Sequence, residues 1–328
     1  MKQIQKFDQV QSKIQSLYQE SRWAEALALA TDYAGTFPEQ EPLLYYWRIC
    51  MAARLGQLDL SISLLDEALN KGIWYGEFLL RKSPSLLDLQ ELPTFLNLIG
   101  KNNQLHDHEQ EQQYPLITIR PQQECKYREN SCPLLIGLHA NASTAQASMN
   151  FWKAAAGAGW LVAVPQSSQG MWSGSYVWDD METSKREIIS HYQTILERYA
   201  IEYKHVILAG HSMGGEVAIW LTLAGAVPAR GFISIGPAGL KMDQPEKWVT
   251  EIEAARSRIL NGGALFRGYI IVGENDLSIH QHGISDLAKM LNQSDIECQI
   301  EILPGVSHEF STDYEDAILR GIDFIENQ

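Results

Sequence analysis

The hydroxyl of Ser212 stands at the centre of G-H-S-M-G, with Gly210 and Gly214 two positions away on either side. Glycines at that spacing let the chain turn sharply at the serine and let the flanking segments approach closely, so the side chain is held up in a strained turn. Such strain costs about 1–3 kcal/mol per residue and persists where a site uses it. The chemistry this suits is attack by an alcohol on an electrophilic carbon. Glycine and serine clusters also make ordinary turns, so the flanking residues decide between the two.

Before the motif, Val206, Ile207 and Leu208 form an apolar run with the length of a buried strand. After it, Val217, Trp220, Leu221 and Ala224 recur at three- and four-residue intervals, as on the apolar face of a helix. From Tyr114 onward such elements alternate. Strands are expected at Leu116–Ile119 and from Pro133, Trp160, His205, Gly231, Arg267 and Cys298. Helices are expected near 145–156, 181–199, 215–224, 247–260, 284–291 and 314–326. This pattern implies an α/β fold, a mostly parallel doubly wound sheet with helices on both faces. Reactive groups then emerge at the carboxyl ends of the strands.

The first hundred residues carry helical periodicity and hardly any strand signal, with Phe7, Val10, Ile14 and Leu17 on one face. Segments from Ser21 and Gly56 align at an offset of 35 residues, which sets Trp23 against Leu58, Leu27 against Ile62 and Ala30 against Leu65. This resembles the tetratricopeptide pattern of paired helices over about the first 70 residues. Ser85 and Pro93 are expected to begin short helices in a terminating segment. A small all-α region of this kind is expected either to bind a protein or peptide partner or, by preference, to brace the rest of the chain. The polar stretch from Lys101 to Gln113 reads as a linker with His106 and His108 exposed. It divides a helical domain at 1–110 from an α/β domain at 111–328.

Across 328 residues, 45% hydrophobic and 20% charged content is ordinary for a globular protein. A net charge of −14 repels phosphate backbones and anionic lipid, which argues against nucleic acid and membranes as partners. No run approaches the ~18–20 apolar residues of a membrane span, and the start has no apolar signal segment, so a cytoplasmic location is expected. Cys50, Cys125, Cys132 and Cys298 lack C-x-x-C spacing, which argues against a zinc site or a disulfide framework. Cys125 and Cys132 are near enough to meet across a hairpin but are expected reduced in a cytosol. His280-Gln281-His282 has no third histidine at ligand spacing, and neither metal nor other cofactor is expected.

The order of elements from Tyr114 to Gln328, with the elbow at Ser212, resembles the α/β-hydrolase superfamily. That resemblance implies the chain order nucleophile, acid, histidine. The acid would be Asp276, in G-E-N-D-L-S-I after the strand ending in Val272; the histidine would be His308, in L-P-G-V-S-H-E-F after the last strand. Imidazole suits the base because its unperturbed pKa of ~6.5 lies near working pH. Asp276 would fix its tautomer and stabilise the imidazolium. Glu274 is the rival acid, and the G-E-x-D arrangement, similar to the superfamily's acid loop, favours Asp276.

Acyl transfer also needs donors for an oxyanion. The resemblance places one at the N–H of Met213 and the second in the loop L-H-A-N-A-S-T, where family members commonly carry His-Gly and this chain has His139-Ala140. The N–H of Asn141 is preferred there, with Ala140 second. Met171, Trp172, Tyr176 and Trp178, in a loop after a strand, are candidates for a pocket wall together with His139 and His211. Packing on the sheet rim is an equal alternative for these aromatics. Asp179 or Asp180 would cap the next helix, and the segment from Gly236 would form a short lid.

The expected function is therefore a serine hydrolase of carboxylic esters with small or medium substrates, similar to the small carboxylesterase and dienelactone-hydrolase-like group, working through an acyl-serine. A peptidase or thioesterase would use the same residues. A reading from another class is a tetratricopeptide adaptor with a silent hydrolase domain, against which stands the presence of all three reactive residues.

Overall fold

The computed structural model of the protein describes residues 7–112, 116–121, 125, 131–239, 241–242, 244–277, 279, 281–309 and 311–327. The chain divides into two compact units, Met1–Gln113 with Gly170–Gly174 and Tyr114–Gln169 with Ser175–Gln328.

The smaller unit is helical: α1 (Phe7–Gln19), α2 (Trp23–Asp32), α3 (Glu41–Arg54), α4 (Leu58–Asn70), α5 (Glu77–Arg81) and α6 (Pro93–Gln112). Val10, Ile14 and Leu17 of α1 meet Ala26, Ala30, Leu44 and Met51 in one core, as their three- and four-residue spacing requires. The segments that align at 35 residues become α2 and α4. Pro93 begins a helix of 20 residues rather than a short one, and the stretch from Lys101 is the second half of that helix rather than a linker. Lysine, glutamine and glutamate are good helix formers, and polarity alone does not distinguish an exposed helix from a loop. Tertiary bonds hold it. The buried Asn102 side chain accepts from the Tyr75 N–H at 2.7 Å and donates to the Tyr75 carbonyl at 2.8 Å. Glu109 takes the Trp74 indole N–H at 2.6 Å, and the His106 ring packs edge-on to Trp74 at 4.6 Å.

The larger unit is built on a seven-stranded sheet. Its strands are β1 (Leu116–Ile119), β2 (Cys132–Leu138), β3 (Leu161–Pro165), β6 (Ile201–His211), β7 (Gly231–Ile235), β8 (Arg267–Gly273) and β9 (Cys298–Leu303). The short β4 (Gly170–Trp172) and β5 (Ser175–Tyr176) lie outside it. The order is β1-β3-β2-β6-β7-β8-β9, with β1 antiparallel to β3 and every other neighbour parallel.

Parallel strands are covered on both faces, and the alternation along each strand divides its residues between two cores. Leu134, Ile136, Val206 and Leu208 face one core; Leu135, Ile207 and Ala209 face the other. The first core is closed by α8 (Met181–Arg198), α9 (Met213–Leu223), α10 (Val249–Leu260) and α11 (Gln281–Gln293), the second by α7 (Ala145–Gly157) and α12 (Asp313–Glu326). All residues of α9 from Gly214 to Leu223 are buried, which explains why it is apolar on every side apart from Glu216 and Thr222. Cys125 and Cys132 are joined in a disulfide, against the expectation of free thiols, because the fold brings their Cα atoms to 5.0 Å. Among the described residues no helix is long and apolar enough to cross a membrane.

Candidate active site

Strand β6 ends at His211, and Ser212 follows with φ 55° and ψ −121°, a region that side chains rarely occupy. A hydrogen bond from its N–H to the Ile235 carbonyl of β7, 2.8 Å, holds that conformation. The flanking glycines are required by space. A Cβ on Gly210 would lie 2.0 Å from the Gly214 carbonyl oxygen, and one on Gly214 would lie 2.4 Å from the His139 carbonyl oxygen. Backbone atoms cannot yield to such contacts. Ser212 is also the N-cap position of α9, so Met213 supplies one of the helix's leading N–H groups, at the positive end of its dipole.

The loops after β8 and β9 meet beside the elbow. Asp276 Oδ2 lies 2.7 Å from His308 Nδ1, and the aspartate side chain is wholly buried. Glu274 has a different partner: its carboxylate accepts the Gly305 N–H at 2.9 Å and faces solvent. It ties the two loops together, as does the Asn275 N–H to the Val306 carbonyl at 2.8 Å. From α12, the buried Tyr314 hydroxyl donates to the Ser307 carbonyl at 2.7 Å, one residue before the histidine.

His211 belongs to this support rather than to a pocket wall. Its ring stacks on Phe151 at 4.4 Å and lies 4.8 Å from the His308 ring, leaving 7% of the residue exposed. Its Nε2 is 2.9 Å from the His308 carbonyl oxygen. A carbonyl can only accept, so Nε2 carries the proton and Nδ1 does not. Burial, and after it the neighbouring His308, lowers the His211 pKa to about 3, which keeps the ring neutral.

The loop after β2 is organised by a second neutral histidine. His139 is fully buried; its Nδ1 donates to the Ala140 carbonyl at 2.9 Å, and its Nε2 accepts the Ser167 N–H at 3.2 Å. Those two bonds are satisfied together only by the neutral Nδ1–H tautomer. Burial, partly offset by the bond to Ala140, lowers its pKa to about 4. The positive φ of this loop falls at Ala142, 50°, rather than at Ala140. Beyond it Ser143 pairs with Tyr176, and Thr144 caps α7 by accepting the Ala147 N–H at 3.1 Å.

Of the remaining pocket candidates, two are turned inward. Tyr176 and Trp178 have their side chains buried and offer no surface to a ligand. The Trp178 indole N–H needs an acceptor and finds the His139 carbonyl at 3.0 Å, with the rings 4.8 Å apart. Met171 and Trp172 fall in β4, within the smaller unit, where Trp172 bridges to Tyr75 and the Gly76 N–H donates to the Met171 carbonyl at 2.7 Å. Asp180 caps α8, accepting the Thr183 N–H at 2.9 Å.

The segment after β7 is clamped rather than free. The Ala238 N–H donates to the Ser212 carbonyl at 3.2 Å, and the N–H groups of Lys241 and Met242 donate to one oxygen of the buried Glu216 at 3.2 and 3.1 Å. Glu216 was missed by sequence reasoning, although a lone carboxylate in an otherwise apolar helix beside the elbow was a visible signal. Leu240, Asp243 and His280 lie outside the described residues, and His282 is exposed on α11.

The sheet order, the elbow and the covering helices define the class, an α/β-hydrolase fold with a helical N-terminal region. Residues 165–324 match the model of the dienelactone hydrolase family, and residues 6–110 match that of an A/B hydrolase-like N-terminal domain. No curated protein matches the chain. Among solved structures, an uncharacterized protein from Bacillus cereus ATCC 10987 has the same fold at 22% identity and a TM-score of 0.52, the match covering 98% of this chain and 99% of that one. Staphylococcus aureus fluorophosphonate-binding serine hydrolase F is 16% identical with a TM-score of 0.49, over 65% of this chain and 92% of its own. The S-formylglutathione hydrolase of the same organism is 16% identical with a TM-score of 0.45, over 64% and 89%.

Proposed function

We propose that the protein is a serine hydrolase that cleaves carboxylic esters of small or medium size through an acyl-serine intermediate. The observation that carries this reading is the buried Asp276–His308 hydrogen bond of 2.7 Å, set beside a serine held in a strained elbow. The dienelactone hydrolase match over residues 165–324 supports hydrolase chemistry.

In this mechanism His308 takes the Ser212 proton as the serine oxygen bonds to the acyl carbon. The carbonyl oxygen becomes an oxyanion, accepted by the N–H groups of Met213 and Asn141, each worth roughly 3–4 kcal/mol when well placed. Collapse breaks the bond to the alkoxy oxygen, which leaves as the alcohol with the proton that His308 returns. Water then repeats the sequence on the acyl-serine and releases the acid. Asp276 keeps Nδ1 of His308 protonated, so that Nε2 is the basic nitrogen.

His139 supports the choice of Asn141 over Ala140. The Ala140 carbonyl points at His139 Nδ1, and no peptide bond described is cis, so the N–H of Asn141 points the opposite way within the same peptide plane, away from His139. The test is a fluorophosphonate probe on the full chain. Labelling of the folded protein that disappears in Ser212→Ala is expected, and absence of labelling in the folded wild type would overturn the proposal.

A further inference from the structure

The smaller unit holds a cavity of about 480 Å³ between α1, α3 and the turn after α5. That volume is in the range that small-molecule ligands fill. Nothing in the proposed hydrolysis uses it. Its lining divides by chemistry. Ile14, Trp47 and Met51 give apolar surface, whereas Tyr18 and Ser85 bring their hydroxyls together at 2.8 Å.

Behind this hydroxyl pair stands Arg54. Its Nε donates to Ser85 Oγ at 3.1 Å and its NH2 nitrogen to Tyr18 Oη at 3.5 Å, while the guanidinium lies 5.7 Å from the centre of the Trp23 ring. Arg54 forms no ion pair among the described residues, in a chain whose net charge is −14. A guanidinium stays charged at any working pH, so two hydroxyls that line the cavity are polarised by a cation that has no carboxylate partner among the described residues.

Tyr18 and Ser85 own one hydroxyl proton each, and the bond between them uses one of the two. Arg54 occupies both oxygens as a donor, so the second proton is left to find an acceptor. The lining around the pair also holds the Cys50 sulfur, a weak acceptor, with Tyr46 and Ser83, which are hydroxyls themselves, and the amides of Gln15 and Gln19. The polar part of the cavity therefore offers a donor and a positive potential, and what complements both is a carboxylate. A phosphate dianion fits less well, because one arginine acting through hydroxyls leaves most of its oxygens unmatched.

We infer that this cavity binds a small amphipathic monocarboxylate, with the carboxylate on the Tyr18–Ser85 pair and the apolar body against Ile14, Trp47 and Met51. The inference does not depend on the hydrolase proposal. It is tested on the full chain carrying Ser212→Ala, titrated with octanoate and, as the neutral analogue, octanamide, with tryptophan fluorescence as the readout. Octanoate is expected to bind at least tenfold more tightly than octanamide. Arg54→Gln and, separately, Ser85→Ala should bring that ratio near one, and Trp47→Phe should remove most of the fluorescence change while calorimetry still records octanoate binding. Equal affinity for the two compounds overturns the inference and needs no variant. Retention of the full preference in folded Ser85→Ala and Arg54→Gln overturns it as well, because the carboxylate is then bound elsewhere.

Discussion

Acid should destabilise the larger unit through two histidines that the fold keeps neutral. In the unfolded chain an imidazole titrates near 6.5, whereas burial lowers His211 to about 3 and His139 to about 4. Their folded values are depressed, so between those values and 6.5 the unfolded state binds more protons and stability falls as pH falls. The contribution is fully present above the unfolded value and has been lost below the folded one. At pH 5 an unfolded imidazole is almost entirely protonated while both buried rings remain neutral, which amounts to ~2 kcal/mol for each ring relative to pH 8, or ~4 kcal/mol together. The structure supplies the reason the rings resist. A proton on His139 Nε2 would face the Ser167 N–H, and one on His211 would add a cation beside His308. The assay is urea unfolding from pH 8 to pH 5 for the wild type, His139→Gln and His211→Asn. Carboxylate titration is common to all three and cancels in the differences. The wild type should lose ~2 kcal/mol more than either variant over this range. A difference that stays flat with pH would refute the reasoning.

Asp276→Asn should lower kcat by roughly 10³–10⁴-fold with little change in thermal midpoint, because the amide orients His308 in the wrong tautomer. Glu274→Gln, whose carboxylate holds only the Gly305 N–H, should leave kcat within a few-fold, and steady-state ester hydrolysis separates the two. Gly214→Ala forces a Cβ to within 2.4 Å of the His139 carbonyl oxygen and should abolish both labelling and activity, whereas an equally fast Gly214→Ala enzyme would contradict the geometry of the elbow.

Much of the α/β unit was legible because local spacing carries it. The runs at Leu134, Val206 and Ile270 are short and apolar on both faces, and that alone marks parallel strands between helices. Misreadings arose where a residue's environment is decided far along the chain. Lys101 to Gln112 looked like a linker because it is polar, but Tyr75 and Trp74 supply the partners that fix it as a helix. For Tyr176 and Trp178 a pocket wall and packing on the sheet rim are equal expectations from sequence, and the backbone of Ser143 and the carbonyl of His139 draw them inward.

The residues by themselves determined the elbow. Gly210, Ser212 and Gly214 permit one local geometry, and the steric reason acts within five consecutive positions. The acid-loop resemblance favours Asp276, but only the tertiary structure shows that Asp276 meets His308 while Glu274 accepts the Gly305 N–H, because two carboxylates two residues apart differ in what lies across the next loop. It also turned His139 and His211 from candidates for a wall into neutral supports. Burial and hydrogen-bond partners are set by the elements that close around a side chain, and those elements are remote in sequence.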